Sequence, residues 1–241
     1  MIRTRTDDRV RVVTIDRPER RNALRPEDLR ALRRAVADAD APVAYLRGAG
    51  DAFCSGADLD AVAALVDADG PGGDADAPES FAREGQRTAA AIADAETVVV
   101  CGVDGAARGG GVEVALAADV RVATPAATFA EPGVGFGLFG AWGGTVRLPR
   151  VMREGDALDF ALSGRVLDAD EALRTGLVSR VVDDPRAVAD AIATGEPDAL
   201  RVIKRRVRDR RDDAIQEDAE AEAFAALVRA HGDEIAASRR E

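Results

Sequence analysis

A chain of 241 residues, 46% of them hydrophobic, suits one domain with a sizeable core, or one domain plus a small appendage. Its net charge of −11 excludes the basic footprint that a nucleic-acid backbone requires, and no run of about 18 apolar residues offers a membrane span. His231 is the only histidine, which excludes a zinc site built from several histidines and leaves a Ser–His–Asp or Cys–His mechanism only that one ring. Cys54 and Cys101 fit no CxxC or zinc spacing and are expected as buried free thiols. The start, "MIRTRTDDRVRVVTID", has no signal-type apolar stretch, so a cytoplasmic protein is expected. Lys204 is the only lysine among 33 basic residues, so the other 32 are arginines, beside an excess of Asp. Codon usage in a GC-rich genome does not by itself create an acid excess. The balance therefore favours a salt-loving host, where an acidic surface stays soluble and salt screens its self-repulsion.

In chain order, "RVRVVTID" (9–16) alternates as a first strand, and "RPERRNALRPEDL" follows as a loop. Pro26 opens the helix "PEDLRALRRAVADAD" with acids in its first turn. "PVAYLRG" (42–48) reads as a buried strand, and "AGDAFCSGADL" leads into a short helix near 58–66. "DADGPGGDADAP" (67–78) has no periodicity and is expected as a mobile surface loop within one core. A helix, "ESFAREGQRTAAAIADAE", precedes the β-branched strand "TVVVCGV" (97–103). Three glycines, Gly109, Gly110 and Gly111, then open the helix "GVEVALAAD", which leads to the short strand "VRVAT". "EGDALDFALSG" and "DADEALRTGL" are helices, "VSRVV" (178–182) is a strand, and from about 185 the pattern is helical and highly charged. The class is α/β, with residues 1–182 as the core and 183–241 as a helical C-terminal region.

Glycine lets backbone approach a ligand, and the first turn of a helix presents free N–H groups at the positive end of its dipole. Glu113 lies three residues after Gly110, on the same helical face, so a carboxylate and a free N–H can address one pocket. A partly desolvated carboxylate has a raised pKa suited to acid–base work. "GGGVEV" contains GxG without the third small residue of a dinucleotide fingerprint, although Glu131 falls at a suitable distance downstream. The bland alternative is that the glycines serve close packing and Glu113 is a paired structural acid. A second glycine turn, "AFCSGADLD" (52–60), also joins a strand to a helix. Two such turns can aim two backbone N–H groups at one point, as a developing oxyanion needs.

The segments "TIDRPERRNAL", "GAGDAFCSGADL", "VDGAARGGGVEVALAADVRVAT", "GAWGGTVRLPR" and "LSGRVLDADEALRTGLVSRVV", in this order, resemble the crotonase superfamily, the enoyl-CoA hydratase/isomerase group. The resemblance spans about residues 9–182. It implies a spiral of ββα units and a helical C-terminal region that serves oligomerisation and covers CoA, with a homotrimer or dimer of trimers as the assembly. The implied substrate is an acyl thioester of coenzyme A, with no separate cofactor and no metal. Ala57 and Gly110 would supply the oxyanion-hole N–H groups, and Glu113 matches the first of the family's two catalytic glutamates. Arg21, Asn22, Ala23, Leu24, Gly56, Asp58, Leu59, Gly109, Pro132 and Gly133 would line the CoA and acyl groove. Arg21, Arg25, Arg239 and Arg240 are candidates for the CoA phosphates, because guanidinium forks match phosphate oxygens. The implied function is hydration of an enoyl-CoA through a stabilised enolate. Isomerisation, other enolate-forming CoA chemistry, and a degenerate acyl-CoA-binding homologue are the alternatives.

The sequence departs from the family pattern at the second glutamate. The segment is "TFAEPGVGFGLFGAWGG", so Gly133 follows Pro132 where the glutamate would stand, and the nearest acid, Glu131, precedes the proline. Two residues along an extended chain is a displacement of about 7 Å, too far for simple replacement unless the loop is rebuilt. Trp142 stands where small residues are usual and implies a narrowed or reshaped acyl pocket, or else plain core packing. The C-terminal segment "EDAEAEAFAALVRAHGDEIAASRRE" lacks the family's usual closing pattern.

Overall fold

The computed structural model describes residues 1–68 and 76–237. Paired strands repeat through the first half of the chain. β1 (Ile2–Asp7) and β2 (Val10–Ile15) form an antiparallel hairpin. After them come β3 (Val43–Gly48) with β4 (Ala52–Cys54), β5 (Val98–Val103) with β6 (Ala106–Arg108), and β7 (Val120–Ala123) with β8 (Thr128–Ala130). The first strand of each later pair joins a six-stranded sheet in the order β1-β2-β3-β5-β7-β9, where β9 is Arg180–Val181. The second strand joins a three-stranded parallel sheet, β4-β6-β8. The fold is thus α/β, a spiral of ββα units.

The helices are α1 (Pro26–Ala37), α2 (Leu59–Ala68), α3 (Ala77–Ala93), α4 (Gly110–Ala117), α5 (Gly144–Val151), α6 (Glu154–Ser163), α7 (Ala169–Thr175), α8 (Pro185–Ala193), α9 (Pro197–Arg208) and α10 (Asp213–Ala237). The last is broken at His231, whose φ of −113° is not helical. Strand alternation sorts the core into two layers. Val13, Ile15, Val99 and Cys101 pack with Leu29 and Leu32 of α1, Ile92 of α3 and the apolar side chains of α4 from Val112 to Ala117. Val10, Val12, Val98 and Val100 face the other way, onto Val188, Ala189 and Ala193 of α8. The chain therefore crosses residue 182 without leaving the core.

The structure adds elements that the sequence pattern does not reveal. In β1 the residues between Ile2 and Asp7 are exposed, so this edge strand carries no apolar alternation. The strands β4, β6 and β8 have three residues each, too few to display a period. The expected loop 67–78 is shorter than its composition suggests: α2 runs to Ala68 and α3 begins at Ala77, while residues 69–75 lie outside the described residues. Cys54 and Cys101 are buried free thiols, and burial pushes the Cys54 thiol up to about 12.

Helix α9 is tied to the body by charge. Lys204 donates 2.9 Å to Asp119, Arg208 reaches the other oxygen of Asp119 at 2.7 Å, and the Val99 amide donates to the same carboxylate. The side chains of Lys204 and Asp119 are only 8% and 10% exposed, so neither can fall back on water. Removing one partner of a buried pair strands the other. The variant Asp119→Ala should therefore lower the unfolding free energy by about 3 kcal/mol, read as a lower midpoint in denaturant titration.

Candidate active site

All eight residues of α4 are buried, and seven of them are apolar or glycine. The eighth, Glu113, is 2% exposed. Its Oε1 accepts two backbone hydrogen bonds, from the Trp142 amide at 2.7 Å and the Gly144 amide at 2.6 Å. Glycine at 144 permits this approach, since a Cβ there would lie 3.0 Å from the same oxygen. Burial pushes the Glu113 carboxyl up to about 7, against the two amides and the more distant Arg147, which favour the ion. It therefore titrates near neutrality, as an acid–base group must.

The two glycine turns meet beside it. A Cβ at Gly56 would sit 2.9 Å from the Gly110 nitrogen and 2.7 Å from the Arg108 carbonyl oxygen, and φ there is +89°, so only glycine fits. Leu24 bridges Ala57 in the parallel sense: its amide donates to the Gly56 carbonyl, and its carbonyl accepts from the Asp58 amide. That register turns the Ala57 N–H away from Leu24. Gly110 opens α4, so its N–H has no intrahelical acceptor. Both residues line one cavity of about 430 Å³ together with Glu113. The cavity walls include Leu59, Val62, Phe81, Phe136, Phe139 and Trp142. The indole of Trp142 is packed against Gly85 and Gly110, where any Cβ would collide with it, and it meets Phe81 edge-on at 5.8 Å. It forms a wall of the cavity and is core packing at the same time.

Glu131 also faces this cavity. It ends the extended segment of β8, after which the chain turns at once into a 3-10 turn over Pro132–Phe136. The displacement of about 7 Å expected for a continuously extended chain therefore does not keep this carboxyl out of the site. It is 6% exposed, and its Oε1 has no hydrogen-bond partner within the described residues. One point relates the two acids: a Cβ on Gly140 would lie 3.0 Å from Glu113 Oε1 and 3.3 Å from Glu131 Oε2. Burial first, and the Glu113 charge second, push Glu131 up to about 8.

The other expected residues divide by exposure. Gly109, Pro132, Gly133 and Leu59 line the cavity with Ala57 and Gly110. Arg21 is exposed and makes no ion pair among the described residues. Arg25, by contrast, is held by Glu27 at 3.0 Å and Asp28 at 2.9 Å. Ala23 and Leu24 are buried, and Gly56 is enclosed by the second turn. Asn22 is fully buried; its side chain accepts from the Arg17 amide and donates to the carbonyls of Ala49 and Ala52. Asp58 binds Arg17 at 2.5 Å and caps the start of α2 through the amides of Asp60 and Ala61. Asn22 and Asp58 thus shape the turn with their side chains and can offer a ligand only backbone. Arg239 and Arg240 lie outside the described residues. Sequence reasoning missed the amides of Trp142 and Gly144 and the gap at Gly140. The signal present was the run "GAWGG", small residues where backbone comes close to a side chain.

The fold and the cavity define a crotonase-type protein, a ββα spiral with a buried glutamate behind two glycine turns. The chain belongs to the enoyl-CoA hydratase/isomerase family, whose model matches residues 5–237. It is 34% identical over 211 residues to "Probable enoyl-CoA hydratase echA8" of Mycobacterium bovis, covering 83% of this chain and 78% of that protein. It is 31% identical over 212 residues to the short-chain-enoyl-CoA hydratase of Clostridium acetobutylicum, with the same coverage of 83% and 78%. The crystal structure of an enoyl-CoA hydratase from Bacillus anthracis superposes with a TM-score of 0.86 at 25% identity, covering 99% of this chain and 96% of that one.

Both buried acids have folded values above the ordinary carboxyl value of 4.5. The native state thus holds protons that the unfolded chain has released. Their contribution to stability is complete below about 4.5 and is lost as pH rises through the native values. Glu131→Gln removes that penalty. It should melt near the wild type at about pH 5 and roughly 5 °C above it at about pH 9, by calorimetry.

Proposed function

We propose that the protein hydrates enoyl-CoA thioesters. The observation that carries this reading is Glu113, an acid with a near-neutral pKa beside the free amides of Ala57 and Gly110 in an apolar cavity. The thioester oxygen accepts from the two N–H groups, which stabilise the enolate that forms when water adds at Cβ. Each such donor is worth about 10²–10³ in rate. Glu113 takes the proton of the attacking water. The apolar walls hold the acyl chain, and the exposed Arg21 pairs with CoA phosphate. The relatives' names support the substrate class, since they include hydratases of enoyl-CoA thioesters.

Double-bond isomerisation of a 3-enoyl-CoA is the second reading. It needs only one carboxylate, such as Glu113, to relay a proton between Cα and Cγ, and so does not require a glutamate at position 133. The assembly we propose is a homotrimer or dimer of trimers. Val207 and Phe224, on α9 and α10, are 72% and 68% exposed, and are the side chains we assign to the contact between protomers.

In buffer with high KCl, the wild type should consume crotonyl-CoA, read as loss of the conjugated enoyl-thioester absorbance, with 3-hydroxyacyl-CoA as product. Glu113→Gln keeps an oxygen for the Trp142 and Gly144 amides but no base, and should lose about 10²–10⁴ in kcat. Isomerisation without hydration would instead support the second reading. Light scattering after size exclusion should give a multiple of three protomers, and Val207→Asp with Phe224→Asp should shift it toward monomer.

A further inference from the structure

We propose that Glu131 is the second acid–base group of this site, the carboxylic acid that protonates the substrate at Cα. The inference rests on the hydratase reading and adds a residue to it. Hydration places an oxygen on Cβ and a hydrogen on Cα, so protons move at two points. Glu113 serves the water, and a second group must serve Cα. Among the described residues that line the cavity, Glu113 and Glu131 are the only two acids, and no basic side chain joins them. The position after Pro132, where the family pattern carries its second glutamate, is occupied by Gly133.

Three further observations single out Glu131. First, a carboxyl that is 6% exposed would ordinarily be hydrogen-bonded, and its Oε1 has no partner within the described residues. The residue lines the cavity, and this buried oxygen is left without a protein donor. Second, the carboxyls of Glu113 and Glu131 converge on the space above Gly140, 3.0 Å and 3.3 Å from one point. That point is where a Cβ on Gly140 would sit, so the two oxygens lie within about 6 Å of each other on the wall of one cavity. Third, the two acids are unequal. Glu113 accepts two backbone N–H bonds and Glu131 accepts none at Oε1. Two like charges this close do not both ionise freely, so at neutral pH one proton is shared and resides on Glu131. Glu113 is the charge and Glu131 the acid. The charged group that bears on Glu131 is Glu113, from α4; Arg147, from α5, bears on Glu113.

The step balances. The oxygen of water bonds to Cβ, and its released proton goes to Glu113. The electrons of the C=C bond shift through the enolate onto Cα, which takes the proton of Glu131. The product is a 3-hydroxyacyl thioester, with Glu113 protonated and Glu131 ionised. The proton then returns from Glu113 to Glu131 through water in the cavity that both line, and the pair is reset with no net proton gained or lost.

The test compares wild type, Glu131→Gln and Glu131→Asp in crotonyl-CoA hydration as a function of pH. For the wild type, kcat/KM should be bell-shaped, rising as Glu113 ionises and falling as Glu131 ionises. Glu131→Gln should lose about 10²–10⁴ in kcat with KM little changed, and should lose the alkaline limb. Glu131→Asp keeps a carboxyl and should keep that limb at reduced kcat, which a purely structural residue would not require. Circular dichroism and the melting temperature check that each variant is folded; should the amide variant not fold, the aspartate variant's limb decides. A wild type that hydrates crotonyl-CoA, with a Glu131→Gln variant within about threefold of it and an unchanged pH profile, overturns the role of Glu131 and leaves the hydratase reading intact. A wild type that does not hydrate crotonyl-CoA removes both.

Discussion

The structure around the cavity depends on one constraint, a carboxyl buried in the first turn of an otherwise apolar helix. Charging such a group away from water is costly unless donors are supplied. They come from the backbone, through the amides of Trp142 and Gly144, because a loop can bring N–H groups closer than most side chains can reach. This requirement accounts for the small residues around it. Side chains at 140 or 144 would press on the Glu113 carboxyl. The indole of Trp142, carried by the same loop, packs into the core at 3% exposure and anchors the segment that supplies the donors. Burial raises the pKa and the amides restrain the rise, so the group titrates in a useful range.

The two glycine turns answer a related constraint. An N–H is available to a ligand only if the protein does not use it. At Gly110 this follows from its place at the start of α4, and at Ala57 from the parallel bridge to Leu24, which takes the Gly56 carbonyl on one side and the Asp58 amide on the other. The bridge in turn depends on the loop before α1. There Asn22, at a φ of +60°, ties the segments 17–22 and 49–52 together through its side chain. A residue resembling a ligand contact by its place in a motif is therefore a builder of the turn. The distinction lies in burial, which a motif does not encode.

The long elements were legible because their periods were. Strands β2, β3 and β5 and helices α1, α3 and α4 fall close to their sequence-based bounds. The family resemblance correctly implied the spiral into which they fold. Edge strand β1 was not legible, since it buries little, and β4, β6 and β8 are too short to show alternation. Glu113 stood out as a lone charge after three glycines. Its two amide donors did not, because backbone donors have no letter in the sequence; nor did the face that Glu131 presents, because a turn after one strand decides it.

That turn makes the distance between Glu131 and position 133 smaller in space than along the chain. An extended segment would separate the two positions by about 7 Å, but the chain from Pro132 to Phe136 winds into a 3-10 turn and returns, with the Leu138 amide bonded to the Gly133 carbonyl. A Cβ at 133 would lie 3.1 Å from the Leu138 carbonyl oxygen, so this closure suits glycine at that position better than any other residue. The tight loop and the acid before the proline are therefore parts of one arrangement: the conformation that crowds a side chain at 133 begins at the residue that turns a carboxyl into the cavity. What the proposed chemistry requires is the position of a carboxyl relative to Glu113 and to the amides of Ala57 and Gly110, and more than one backbone path can deliver it.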